Sequence, residues 1–127
     1  VSATPAGLSL SAEEDQAFRR GVAQFNRGEY FECHDTLEEV WAGVRGSGRD
    51  FLQGLIQVSV AFYHLGNANP AGARSMFGRA LARWRPYPDR YFGFDLAAQR
   101  RAVEEAIGRL EAGEEAKGPL PWTFDPA

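Results

Sequence analysis

FLQGLIQVSVAFYHL, running from Phe51 to Leu65, is apolar on most sides of a helix. Such a helix is expected to be the most buried one of its domain, with the other elements packed around it. The run is too short to cross a bilayer and carries Gln53, Gln57 and His64, so no membrane association is expected. Before it, GVRGSGRD reads as a loop that ends at Asp50, a residue type suited to an N-cap. After it, GNANP reads as a turn, with Pro70 near the first position of the next helix.

The flanking segments carry their own start and stop signals. Ser11-Ala-Glu-Glu14 has the form of a capping box and opens a first helix that runs to about Asn26, with Phe18, Val22 and Phe25 as its apolar stripe. Gly28 punctuates a turn, and a second helix covers about Glu29 to Ala42. The fourth helix reaches about Trp84, where Pro86 and Pro88 forbid continuation. Asp95 can cap a fifth helix that ends between Leu110 and Gly113. Residues 1–10 read as an extended arm, and 114–127 as an extended tail whose Trp122 and Phe124 dock back on the helices. Trp84, Tyr87, Tyr91 and Phe92 form a hydrophobic cap around the proline turn, or an oligomer interface if they are exposed. No strand of period two is visible, and 127 residues suit one domain. The expected fold is all-α: an antiparallel array of about five helices, made of two stacked hairpins, a capping helix and the tail.

A repeat supports the hairpins. Cys33, Leu37 and Val40 recur 40 residues later as Ala73, Phe77 and Ala80, and Gly28 recurs 38 residues later as Gly66. The pattern resembles a tetratricopeptide-type hairpin, in which a small residue sits where the partner helix crosses closely.

Composition narrows the function classes. A net charge of −3 does not imply general affinity for nucleic acid. The one cysteine, Cys33, excludes a disulfide framework and suits a reducing, cytoplasmic setting. Glu29, Glu32, Asp35, Glu38 and Glu39 form an acidic stretch, while Arg74, Arg79, Arg83, Arg85 and Arg90 form a basic one. These read as two complementary solvated faces, or as an anion groove along the arginines. The partner is a small molecule or a protein, and a homo-oligomer stays open.

The chemistry is concentrated in His34-x-x-x-Glu38-x-x-Trp41. The offsets of four and seven place the three side chains on one helical stripe. If Cys33, Leu37 and Val40 face the first helix, this stripe faces the third, whose matching stripe is Gln53, Gln57, Val60 and His64. Antiparallel packing then brings His34 to His64, Glu38 to Val60 and Trp41 to Gln57, with Asn26 closing the same end. Three readings follow. The cluster is a buried hydrogen-bonded network that fixes helix register in an interaction module. Alternatively His34, Glu38 and His64 hold a divalent metal such as zinc, with hydrolytic chemistry. The third reading is metal-free acid–base work or small-ligand binding. There His34, Glu38 and His64 are the reactive groups, and Trp41, Gln57, Gln53, Asn26 and Tyr30 line the site. Cys33 is on the inward stripe and is not expected to act as a nucleophile.

FNRGEYFECHDTLEEVW, then FLQGLIQVSVAFYHLGNANPAGARSMFGRAL, then YP followed by GFDL, together resemble the bacterial and archaeal domain of unknown function 309 family. The likeness runs from about Phe25 to Leu96. It implies a small all-helical domain with His34, Glu38 and Trp41 as its hallmark. It also draws attention to Asn26, Gly28, Tyr30, Gln53, Gln57, His64, Gly66, Asn67, Gly72, Ala73 and Asp95. It supplies no established activity; a metal-dependent hydrolase is one suggestion attached to such proteins.

Overall fold

The computed structural model describes residues 7–124. Five helices carry the fold: α1 (Ala12–Asn26), α2 (Tyr30–Gly43), α3 (Gly48–Gly66), α4 (Pro70–Trp84) and α5 (Leu96–Glu111). The class is all-α, as expected from the sequence. Helix α3 packs on both α2 and α4, α1 packs on α2, and α5 packs on α4. The repeated triplets point inward. Cys33, Leu37, Ala73, Phe77 and Ala80 are fully buried, and Val40 nearly so. Small residues let the helices cross closely. A Cβ at Gly54 would overlap the Trp84 indole, and one at Gly21 would collide with Leu37.

The local signals act as chemistry requires. The Ser11 hydroxyl accepts from the Glu14 N–H at 3.1 Å, and the Glu14 carboxylate accepts from the Ser11 N–H at 2.9 Å. Asn69 caps α4 through the Gly72 N–H, and Asp95 caps α5 through the Ala98 N–H.

Two boundaries differ from the sequence reading. Helix α3 begins at Gly48, so Asp50 lies in its first turn and is not the cap. The Tyr87 phenol serves that end instead, accepting from the Phe51 N–H at 3.0 Å and donating to the Ser47 carbonyl. Asp50, relieved of the capping role, accepts from Arg83 of α4 at 2.5 Å. The second difference is a short antiparallel ribbon, β1 (Arg90–Tyr91) with β2 (Phe94–Asp95). Phe92 and Gly93 turn it with φ of 49° and 76°, the left-handed pair that a two-residue hairpin needs.

The tail docks as expected for Trp122 and Phe124. Trp122 stacks on Phe25 with centroids 3.7 Å apart and planes 2° from parallel. Phe124 forms a β-bridge with Phe94 and lies parallel to its ring. Residues 1–6 of the expected arm and 125–127 of the tail lie outside the described residues.

Candidate functional site on the α2/α3 face

The start of α2 lies beside the end of α3. Tyr30, Phe31 and His34 from the one and Val60, Tyr63 and His64 from the other line a cavity of about 140 Å³. Both histidines of the chain therefore border one space. Helix α2 can present this face because its Cys33–Leu37–Val40 stripe is spent on the core, leaving His34 about 100° around the helix.

His34 is held by its own helix. Its Nε2 stands 3.0 Å from Glu38 Oε1, the i to i+4 contact the spacing implies. The other ring nitrogen, Nδ1, is buried and has no hydrogen-bond partner; Asp35 Oδ1 lies 3.5 Å from it. Donor atoms of His34, Asp35 and Glu38 all fall within 4.8 Å of one another, a spacing that one cation could bridge. His64 stands outside that group, with its Nδ1 3.3 Å from the Asn69 amide nitrogen.

The other residues singled out in the sequence are placed as follows. Tyr30 forms part of the cavity wall, stacked on Phe62 at 5.5 Å, and burial pushes its phenol above the ordinary value. Glu38 stays outside the lining, with its carboxylate 3.0 Å from His34 Nε2. Trp41 lies two turns further along α2, under the Arg49 guanidinium at 3.8 Å from its ring centroid. Arg49 also donates to the carbonyls of Trp41 and Val44 at 3.0 and 2.6 Å, so this tryptophan braces the α2–α3 connection. Gln57 is 6% exposed and borders a groove with Asp50, Arg79 and Arg83, on the α4 side. Gln53 is half-buried on α3 and does not line the cavity. Asn26 is engaged elsewhere: its amide nitrogen donates to the Trp122 carbonyl and its oxygen accepts from the Trp122 N–H, both at 2.8 Å. Cys33 is fully buried, and burial pushes its thiol up to about 12, which leaves almost no thiolate at neutral pH.

Three contributors escaped the sequence reading: Asp35, Phe31 and Tyr63. Phe31 is 50% exposed and Tyr63 41%, in a chain whose other large apolar residues are mostly buried. A signal for Phe31 was available. It lies off the Cys33–Leu37–Val40 stripe and three residues before His34, so it shares the polar face.

A larger cavity of about 250 Å³ lies under the tail, bordered by Phe25, Phe62, Phe77, Gln99 and Pro121. The ion pair at its rim, Lys117–Glu105, joins the tail to α5. It contains neither histidine, and its charged groups serve the docking of the tail.

Among the described residues no helix is long and apolar enough to cross a membrane. An uncharacterised protein of Aquifex aeolicus (strain VF5) is 28% identical over 108 residues, covering 84% of this chain and 32% of that protein. The uncharacterised protein YpuF of Bacillus subtilis (strain 168) is 35% identical over 78 residues, covering 61% of this chain and 38% of its own length. The chain thus matches about a third of the length of these relatives. Residues 18–76, which include all of α2 and α3 and so the whole cavity lining, match the family model of a domain of unknown function, DUF309.

Proposed function

We propose that the α2/α3 face is a small-ligand site, with His34 and His64 as its polar groups and Tyr30, Phe31 and Tyr63 as its walls. The observation that carries this reading is the meeting of both histidines at one surface cavity. Glu38 is a positioning residue: its carboxylate stands against the Nε2 edge and orients the His34 ring. A ligand then buries apolar surface against the aromatics and the two imidazole rings. The lone buried thiol of Cys33 supports a reducing, cytoplasmic setting.

The rival is an interaction module in which the cluster only fixes register. His34→Ala separates the two. As a site residue it should change the unfolding free energy by about 1 kcal/mol or less in urea denaturation, within the range of surface changes. A loss of about 3 kcal/mol or more would mark the cluster as a structural strut and contradict the proposal.

A second reading is favoured by the convergence of His34, Asp35 and Glu38. These three could hold a zinc ion, with His64 excluded from the ligand set. Calorimetric titration with Zn²⁺ should then show one bound ion per chain, lost in Asp35→Asn. Equal binding by wild type and that variant would remove this reading.

A further inference from the structure

We infer that the ligand of the α2/α3 cavity carries a quaternary ammonium group. This rests on the small-ligand reading above and names the ligand's chemistry. The walls are aromatic: Phe31 and Tyr63 have ring centroids 5.6 Å apart and planes tilted by 50°, so they form two sides of a corner. Phe31 also lies 5.7 Å from the His34 ring, and Tyr30 completes the aromatic side. Aromatic faces carry negative quadrupole and attract a cation brought against them.

The charge around the cavity has the same sign. Helix α2 contains Glu32, Asp35, Glu38 and Glu39 and no lysine or arginine. Asp35 and Glu38 stand beside His34, both exposed, and among the described residues neither is paired with an arginine or lysine; Glu32 and Glu39 lie about 140–160° around the helix from His34 and face away. After its first turn, α3 from Phe51 to Gly66 adds no lysine or arginine. Asp35 and Glu38 thus put negative charge beside the cavity, while the Arg49 guanidinium is held over Trp41, two turns further along α2.

The kind of cation follows from the lining. Six residues border the cavity, and its wall is almost wholly apolar: His34 Nδ1 is buried, its Nε2 faces Glu38, and His64 Nδ1 faces Asn69. A primary ammonium or a guanidinium would have to leave several N–H donors without partners. A methylated ammonium has no such donors and spreads its charge over methyl groups, which suits apolar walls. The size agrees: a cavity of about 150 Å³ can hold a six-carbon ring, so about 140 Å³ has room for a head of four or five heavy atoms. The trimethylammonium head fits that count. We assign a free small molecule as its source.

Three isosteres test the assignment: choline, 3,3-dimethyl-1-butanol and 3,3-dimethylbutyrate, which are cationic, neutral and anionic. Each is titrated into the protein in low-salt buffer containing a chelator, and the backbone amide shifts of Phe31, Val60 and Tyr63 are followed. Choline should bind roughly tenfold or more tighter than the neutral alcohol. That preference should shrink in Phe31→Ala, and also as salt is raised. If the alcohol binds as well as choline, or the butyrate binds best, the cationic assignment is overturned while the small-ligand reading stands. If none of the three shifts these residues, the small-ligand reading fails with it. Co-sedimentation with phosphatidylcholine vesicles, blocked by choline, would move the source to a lipid headgroup and overturn the free molecule.

Discussion

The molecule carries two aromatic clusters of similar chemistry and opposite fate. One joins α1, the β-ribbon and the tail: Phe18, Phe25, Phe92, Phe94, Trp122 and Phe124 pack edge-to-face or stacked. The tail covers it, and Asn26 clamps the Trp122 backbone in place. The other, Phe31 and Tyr63 with the two histidines, sits on α2 and α3 with no segment over it among the described residues. A covered cluster contributes to stability through buried area. An uncovered one contributes little to folding, and its retention calls for another explanation. The difference matches the proposed division, with structure for one cluster and ligand binding for the other.

The contrast can be tested by removing members of each. Trp122→Ala should have the largest effect, a loss of about 3–5 kcal/mol in chemical denaturation, because it empties a fully buried site. Asn26→Ala should follow at about 2 kcal/mol, since it strips partners from both the N–H and the C=O of Trp122. Limited proteolysis should then cut the tail of this variant first. Arg49→Lys keeps the charge but loses the planar fork over Trp41, and should cost about 1 kcal/mol by thermal unfolding. Phe31→Ala should be the mildest, within about 0.5 kcal/mol of wild type, because half of the side chain already faces water. A loss of about 2 kcal/mol there would erase the distinction between the clusters.

Features with a local or periodic cause were legible in the sequence. The capping box at Ser11, the cap at Asp95 and the two buried triplets all follow from neighbours within a few residues or from the 40-residue repeat. The docking of Trp122 and Phe124 followed from aromatic cost alone. Features set by distant partners were not legible. The start of α3 depends on the Tyr87 phenol, 36 residues from Phe51, and the role of Asn26 depends on a backbone 96 residues away. The β-ribbon is two residues per strand, too short to show a period. At the site, the spacing gave the His34–Glu38 contact, and the antiparallel register put both histidines at one cavity. It did not reveal which residues the seam admits. Trp41 and Gln57 turn to Arg49 and to the α4 side, and Phe31 and Tyr63 take the places beside the histidines.

The central claim is that ligands enter at the open cluster and not under the tail. The chain has two histidines and three tryptophans, so side-chain NMR reads both regions in one spectrum. The imidazole signals of His34 and His64 report on the α2/α3 cavity, and the Trp122 indole reports on the covered cluster. A fragment library should shift both imidazoles and leave the Trp122 indole in place. Fragments that move the Trp122 indole while both imidazoles stay fixed would contradict the account.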